Sequence, residues 1–340
     1  MKSLIHFLRL VRFGNLLVIG LTMSIIQVFI AAHGNSQANK AILHLSKGEL
    51  NLFEQLSTFY NIDLNFLLLV LAVMLIAGAG NVINDYFDVK ADRVNKPERL
   101  IIDKHIKRRW AIMFNWIFNI IGLFITFYLS WISHNWLILI IAFVIINFLW
   151  FYSAIYKRKL FVGNILVALM VGIVPLYVLI YNLPLDGYNL AGTSRSGVMF
   201  ISEVVVMIAI IAFVINFLRE IIKDIADIRG DLHLSARTIP IALGIKKTKI
   251  ILVIVLVPLL FLMAFYLYNI YFYDNITVLR FQMAAPDGAT AFNTCVIASM
   301  LAVIIGYLIL LTTNKRKYYL LSSNFLKIAM MLGMLSPLFL

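Results

Sequence analysis

One stretch decides the fold of this chain: Leu67 to Arg99, which reads LLLVLAVMLIAGAGNVINDYFDVKADRVNKPER. Its first part is an apolar run of the kind that crosses a lipid bilayer as a helix. Asp85, Asp88 and Asp92 follow, and then a group of basic residues. Because ionisable groups at membrane depth are costly, this transition indicates a functional site at the end of a membrane helix.

The composition places the rest of the chain in the membrane as well. Of its 340 residues, 62% are hydrophobic and 13% are charged, and the mean hydropathy is +0.95. Soluble domains are roughly half apolar and a quarter charged. The one cysteine, Cys295, excludes an internal disulfide and a thiolate metal site. In a membrane protein, the net charge of +13 raises the question of which face holds the bases, and does not indicate nucleic-acid binding.

Nine segments are apolar and long enough to span a bilayer, which takes a helix of about 20 residues. They are 14–32, 64–86, 111–131, 135–153, 161–182, 198–218, 249–273, 293–313 and 319–340. The first run is longer than the core of a cleaved signal peptide, so we interpret it as a retained helix. The sequence predicts an all-α integral membrane protein, a bundle of nine transmembrane helices that forms a single domain over residues 1–340.

The basic residues lie mostly on one side of these predicted spans. If the loops alternate between two faces, most of the 29 Lys and Arg residues fall on the same face as the N-terminus. The loop segments on that face are 87–110, 154–160, 219–248 and 314–318. Because basic loops stay in the cytoplasm, we predict a multi-pass protein of the cell membrane with this face towards the cytoplasm.

Two acidic patterns with the same spacing close the second and the sixth predicted spans. Residues three and four apart share one face of a helix, and both patterns step by 4, 3 and 4 residues. The members of the first are Asn81, Asp85, Asp88 and Asp92. The members of the second, within NFLREIIKDIADIRGDLHLSARTIP, are Glu220, Asp224, Asp227 and Asp231. Each pattern therefore predicts one polar stripe at the cytoplasmic end of its helix.

A solvated helix end with alternating charges is the alternative interpretation of either pattern alone. Like carboxylates at these spacings repel one another, however, and do not stabilise an exposed helix. Mg²⁺ would make them tolerable, because it takes one or two carboxylates, keeps waters and binds substrate phosphates. The bases that would complete the charge around a polyphosphate are Arg93, Arg99, Lys157, Arg219 and Lys223. The membrane setting favours a phosphate that carries a lipid tail.

The motifs NDYFDVKAD and KDIADIRGD, in these places, resemble those of the UbiA superfamily of intramembrane prenyltransferases. The resemblance covers nearly the whole chain and includes the segments RLVRFGNLLVIGLTM and YSAIYKRKLFVGN. It implies a transferase that moves an isoprenoid chain from its diphosphate to an acceptor within the membrane. It also implies Mg²⁺ as the cofactor that makes the diphosphate a leaving group.

The resemblance assigns metal-binding roles to individual residues. The residues that match the two metal-binding patterns of the family are Asn84, Asp88 and Asp92 in the first and Asp227 and Asp231 in the second. Asp85 and Asp224 are additional acids at the same two places. We predict that the four matching aspartates are essential to catalysis.

Further residues are candidates for contacts with the prenyl diphosphate. They are Lys157, Arg219 and Lys223, followed by Arg99 and Arg12. Tyr152 is a candidate for facing the allylic cation that develops at the reacting carbon, because aromatic faces favour cations. A packing role for Tyr152 is the alternative.

The acceptor is less sharply indicated. REIIKDIADIRGD, followed by ARTIP, looks most like the branch that prenylates geranylgeranylglyceryl phosphate. Similar strings occur in enzymes that prenylate aromatic quinone precursors, so that acceptor class stays open. Where the family often has RPIPSG, this chain has RLIIDKHIKRR, from Arg99 to Arg109, which we expect to cover the site. The bases of this loop would meet either an anionic acceptor or anionic membrane lipids.

Two other classes of protein are alternatives to a prenyltransferase. A cation transporter places its sites near the bilayer midplane, often on broken helices, whereas both acidic patterns lie at the predicted rim among bases. A membrane-embedded scaffold for another enzyme is the second alternative. The expected partners are a prenyl diphosphate, a lipid or aromatic acceptor and membrane lipids, without nucleic acid.

Overall fold

The computed structural model describes residues 2–34, 62–95, 97–183, 195–233, 236–275, 286–312 and 314–340. Over these ranges ten α-helices follow one another: α1 (Lys2–Leu10), α2 (Phe13–Gly34), α3 (Leu64–Asn95), α4 (Arg108–Ser133), α5 (Leu137–Ala154), α6 (Val162–Asn182), α7 (Arg195–His233), α8 (Ile239–Asn275), α9 (Pro286–Thr312) and α10 (Arg316–Leu335). Short 3-10 turns occupy Pro97–Arg99, Tyr156–Arg158 and Ser336–Phe339.

Within this described part of the chain, nine helices, α2 to α10, are long and apolar enough to cross a membrane. The predicted all-α class with nine membrane helices is therefore confirmed, and the protein is a multi-pass membrane protein. Position 313, at the end of the eighth predicted span, lies outside the described residues, as do positions 96 and 234–235 of the predicted basic segments.

The two helices that carry the acidic patterns continue beyond their apolar segments. α3 extends to Asn95 and α7 extends to His233, so both patterns lie entirely within helices. An apolar window ends where charges begin, whereas the backbone hydrogen bonds of a helix do not require apolar side chains. The acids therefore lie on successive turns of regular helix, as their spacing predicts.

The chain forms two compact units. Unit 1 comprises Met1–Lys157 and Val174–Ser202, and unit 2 comprises Arg158–Ile173 and Glu203–Leu340. The first acidic pattern belongs to unit 1 and the second to unit 2. The single domain over residues 1–340 stays a prediction.

In unit 1, α3 packs closely on its neighbours. Its buried cluster consists of Leu10, Val11, Leu16, Val82, Val89, Ile102 and Ala111. A Cβ atom added to Gly122 of α4 would lie 2.8 Å from Cγ1 of Ile76, so the two helices approach closely at this small residue. The side chain of Asn115 donates to the Ala79 carbonyl at 3.0 Å. These contacts hold the end of α3 in a fixed orientation.

In unit 2, similar close approaches surround α7 and α10. A Cβ atom on Gly172 of α6 would lie 3.0 Å from the Ala209 carbonyl oxygen of α7. Ser299 of α9 donates to the Ala329 carbonyl of α10 at 2.8 Å. Because polar and small residues link helices where lipid supplies no hydrophobic force, these contacts orient the second acidic pattern.

Candidate functional site

At the first acidic pattern, Asp88 and the neighbouring residue Asn84 contact Lys157. The Nζ atom of Lys157, in the turn after α5, donates to Asn84 Oδ1 at 3.1 Å and forms an ion pair with the Asp88 carboxylate. Asn84 Nδ2 donates to Asp88 Oδ2 at 3.1 Å, across one helical turn. The side chain of Asp88 is only 14% exposed. Three predicted site residues therefore form one partly buried cluster.

The charge of Lys157 is held in place by this cluster. Burial acts to lower the pKa of Lys157, but the neighbouring Asp88 carboxylate raises the pKa more, so the result lies above the ordinary lysine value of 10.5. Tyr152 and Arg12 also lie within electrostatic range of the ammonium group. The structure thus brings both of these candidates to the same part of unit 1.

Asn81 and Asp85 contact the junction between α1 and α2. Arg12 Nη2 lies 2.6 Å from Asp85 Oδ1, and Asn81 Nδ2 donates to the Val11 carbonyl at 3.0 Å. Arg12 has a left-handed backbone with φ of 55°, which costs a residue other than glycine about 1–2 kcal/mol. The two contacts offset this cost, so this part of the stripe fixes the entry into α2.

Asp92 and Arg99 are the remaining residues predicted for this region. Asp92 lies one turn beyond Asp88 on α3 and is partly buried. The side chain of Arg99 lies outside the described residues, so its predicted contact with a diphosphate stays a prediction.

The loop that departs from the usual family sequence is folded and anchored. Ile102 and Ile106 form a β-bridge, and Asp103 between them accepts from Arg93 at 3.2 Å and from Arg108 at 3.1 Å. Within the same loop, His105 stacks on His6 of α1, with ring centroids 3.8 Å apart. The loop is therefore held beside α1, and its predicted role in covering the site stays a prediction.

In the second acidic pattern, two aspartates are bound by side chains from other helices. Asn164 of α6 donates from Nδ2 to Asp224 Oδ2 at 2.7 Å, and Asn164 is only 8% exposed. Arg316, at the start of α10, donates from Nη2 to Asp227 Oδ1 at 2.9 Å and from Nε to the Ala226 carbonyl at 3.0 Å. Both aspartates are thus fixed in orientation by donors within unit 2.

The predicted diphosphate contacts of unit 2 flank one acid. Arg219 Nη1 lies 3.1 Å from Glu220 Oε1, and Lys223 Nζ lies 2.8 Å from Glu220 Oε2. Lys223 and Asp231 both lie within electrostatic range of Asp224. The structure therefore brings the predicted acids and bases of this helix end together.

The sequence analysis did not identify Asn164 or Arg316 as site residues. Asn164 belongs to the segment YSAIYKRKLFVGN, and Arg316 had been counted only as a basic loop residue. Their partners lie 60 and 89 residues away along the chain. Helical periodicity describes neighbours within one helix, so it carries no signal for contacts of this kind.

The donor atoms of both patterns suit a magnesium ion. Within the described ranges, no three His, Cys, Asp or Glu side chains converge as a preformed metal site. Mg²⁺ commonly uses one or two carboxylates and completes its shell with waters and substrate phosphates. Such oxygens are present at Asp88, which is linked to Asn84, and at Asp227. Each of the two carboxylates is already in contact with a base. At either place, a divalent ion that carries a polyphosphate would share the carboxylate with the base already bound to it, which is Lys157 at Asp88 and Arg316 at Asp227.

Comparisons of the sequence with known proteins agree with this chemistry. The model of the UbiA prenyltransferase family matches residues 55–286. A digeranylgeranylglyceryl phosphate synthase of Pyrococcus horikoshii is 37% identical over 191 residues, which are 54% of this chain and 59% of that protein. One of Methanobrevibacter smithii is 30% identical over 231 residues, which are 66% of this chain and 77% of that protein. This chain spans between 54% and 64% of the length of the first relatives that it matches.

Solved structures share the fold. The structure of a digeranylgeranylglyceryl phosphate synthase aligns with this chain with a TM-score of 0.59 and 23% sequence identity. The alignment covers 99% of this chain and 98% of that one. A UbiA homolog from Aeropyrum pernix aligns over 94% of both chains with a TM-score of 0.56 and 15% identity. A homolog from Archaeoglobus fulgidus, bound to DMAPP and Mg²⁺, aligns over 97% of this chain and 99% of its own, with a TM-score of 0.51 and 12% identity. By the extent of its family match, this chain belongs to the UbiA prenyltransferase family.

Proposed function

We propose that this chain is a Mg²⁺-dependent prenyltransferase that moves a geranylgeranyl group from its diphosphate to geranylgeranylglyceryl phosphate. The observation that carries the proposal is the cluster in which Lys157 contacts both Asn84 and Asp88. An ammonium group beside carboxylate and amide oxygens can bind a diphosphate and a divalent cation together. The acceptor is supported by the relatives, which are digeranylgeranylglyceryl phosphate synthases.

In this proposal the acidic residues hold the metal. They are Asn84, Asp85, Asp88 and Asp92 in unit 1 and Asp224, Asp227 and Asp231 in unit 2. Mg²⁺, when bound, neutralises the charge of the diphosphate and makes it a better leaving group. The Archaeoglobus fulgidus homolog, which is bound to DMAPP and Mg²⁺, supports Mg²⁺ as the cofactor.

The basic residues bind the diphosphate, which leaves as the bond between its oxygen and the first prenyl carbon breaks. Lys157, Arg219 and Lys223 are the principal contacts, and Arg12 and Arg99 are secondary ones. The hydroxyl oxygen of the acceptor then bonds to that carbon and loses its proton. The apolar helices exclude water, which would otherwise capture the allylic cation, and Tyr152 is assigned to face this cation.

The proposal includes the orientation and extent of the site. Most of the 29 Lys and Arg residues fall in loops on the same predicted face as the two acidic patterns, and this supports a site that faces the cytoplasm. We assign both patterns to one reaction, and therefore to one transmembrane prenyltransferase domain over residues 1–340. Its partners are the prenyl diphosphate, the lipid acceptor and membrane lipids.

A transfer assay with the purified full chain in nanodiscs tests the proposal. Geranylgeranyl diphosphate and Mg²⁺ are supplied with geranylgeranylglyceryl phosphate, or with aromatic quinone precursors, in the presence or absence of EDTA. We expect pyrophosphate release and an ether product with the glycerophosphate lipid, both abolished by EDTA. A product formed only with an aromatic acceptor would change the proposed function to prenylation of a quinone precursor. If no acceptor gives a product, the proposed function is overturned.

A further inference from the structure

Two buried nitrogen atoms lie close together on α7 without hydrogen-bond partners in the described part of the chain. They are Nδ2 of Asn216, a residue that is only 3% exposed, and Nε of Arg219. The two residues are three positions apart, so they lie on one face of the helix. They lie between the apolar centre of α7 and the second acidic pattern.

A third nitrogen donor approaches from α10. Lys327 lies within electrostatic range of Arg219, and α10 is tied to α7 where Arg316 meets Asp227. From that ion pair, Arg219 is about two turns back along α7 and Lys327 is about three turns forward along α10. Both residues therefore lie on the same side of the ion pair, towards the apolar parts of their helices, which agrees with the electrostatic interaction between Lys327 and Arg219.

The charges around this place favour an anion. Arg219 and Lys223 share Glu220 as their acidic neighbour, and Lys327 adds a further positive charge within a membrane-spanning helix. Like charges at membrane depth are costly, and buried donors without acceptors add to that cost. An anion with several acceptor oxygens would offset both costs at once.

We propose that Asn216, Arg219 and Lys327 form a subsite for a phosphoryl group of a lipid-borne substrate. An amide, a guanidinium and an ammonium group are all donors, and phosphoryl oxygens accept from each of them. The identity of the ligand rests on the proposed function, which offers two sources with this chemistry. These are the diphosphate of the prenyl donor and the phosphate of the lipid acceptor.

Binding measurements without turnover test the subsite. The full chain in nanodiscs is titrated with geranylgeranyl diphosphate, or with geranylgeranylglyceryl phosphate, in buffer that contains EDTA. We expect Lys327→Met and Asn216→Leu each to weaken binding of at least one ligand about tenfold, as for the loss of a hydrogen bond to a charged group. The ligand that is affected identifies the source of the phosphoryl group.

The matched control is Lys247→Met, which removes the same charge from an exposed position of α8. Unchanged binding of both ligands in Lys327→Met and Asn216→Leu, as in this control, would overturn the subsite. Because binding does not depend on transfer, an inactive wild type would refute the proposed function and leave this test valid.

Folding of the variants is checked by thermal unfolding before binding is measured. Asn216→Leu replaces a side chain whose buried Nδ2 atom has no acceptor in the described part of the chain by an apolar side chain of similar size. A purely structural Asn216 therefore predicts normal binding in this variant, whatever the change in Tm. Lys327→Arg keeps the charge and is expected to bind within about threefold of the wild type. If Lys327→Met does not fold, Asn216→Leu decides the question.

Discussion

Arg316 binds Asp227 across 89 residues of sequence. Its Nη2 atom lies 2.9 Å from Asp227 Oδ1, and its Nε atom donates to the carbonyl of the preceding residue, Ala226. One guanidinium therefore holds both the side chain and the backbone of the second acidic pattern. A carboxylate that is assigned to Mg²⁺ already has a cationic partner from another helix of the same unit.

Arg316 and Mg²⁺ are expected to compete for Asp227. In Arg316→Gln, the Mg²⁺ concentration that gives half-maximal transfer should fall by a factor of about 1.4 to 5, because an exposed ion pair contributes roughly 0.2–1 kcal/mol. The measurement is a Mg²⁺ titration of transfer activity in nanodiscs.

The control for this titration is Lys317→Gln, which removes a charge from the next, exposed residue. It should leave the half-maximal Mg²⁺ concentration unchanged. If the half-maximal Mg²⁺ concentration of Arg316→Gln equals that of the wild type, the guanidinium does not compete with the metal. If it is higher, the guanidinium assists metal binding.

Asn164 is expected to orient Asp224. In Asn164→Leu, the Asp224 carboxylate loses its 2.7 Å donor, and the free energy of unfolding should fall by about 1–3 kcal/mol, the usual cost of leaving a buried group unsatisfied. Thermal unfolding of the purified protein measures the loss. Asn164→Asp should destabilise the protein at least as much, because it places two carboxylates in contact. A stable, fully active Asn164→Asp would contradict the orienting role.

Asp88 and Asp227 are expected to be essential. Asp88→Ala and Asp227→Ala should each reduce transfer about 10²–10³-fold, the range observed when one electrostatic group is removed from an active site. Both variants should still insert into the membrane and purify in normal yield. Transfer assays at saturating Mg²⁺ measure the effect, and near-normal turnover in either variant would reject its assignment as a metal ligand.

Lys157 should stabilise the protein equally across neutral and mildly alkaline pH. Its pKa lies above the ordinary value of 10.5 because of Asp88, so its stabilising contribution is fully present below 10.5 and disappears only as the pH rises through the higher folded-state pKa. The difference in Tm between the wild type and Lys157→Met should therefore stay constant from about pH 7 to about pH 9.5. A difference that shrinks within this interval would mean that Lys157 loses its proton there.

The sequence correctly predicted the membrane class, the nine helices in the described ranges that are long and apolar enough to cross a membrane, and the helical structure of both acidic patterns. The length of an apolar segment and the spacing of residues on a helix are local properties of the sequence. The hydrogen bond from Asn84 to Asp88 shows that residues four positions apart do meet on one face of α3. The helix ends were less well predicted. α3 and α7 run on through charged residues that an apolar window excludes.

The sequence by itself determined that two groups of acids with the same spacing lie towards the ends of two helices, because this repeat is visible without a fold. Only the tertiary structure decided which donor meets each acid: Lys157 at Asp88, Arg12 at Asp85, Asn164 at Asp224 and Arg316 at Asp227. The physical reason is that each pair joins a helix that carries an acidic pattern to a different part of the chain. Their formation depends on close packing at residues such as Gly122 and Gly172, and one helix's periodicity carries no information about how another helix packs against it.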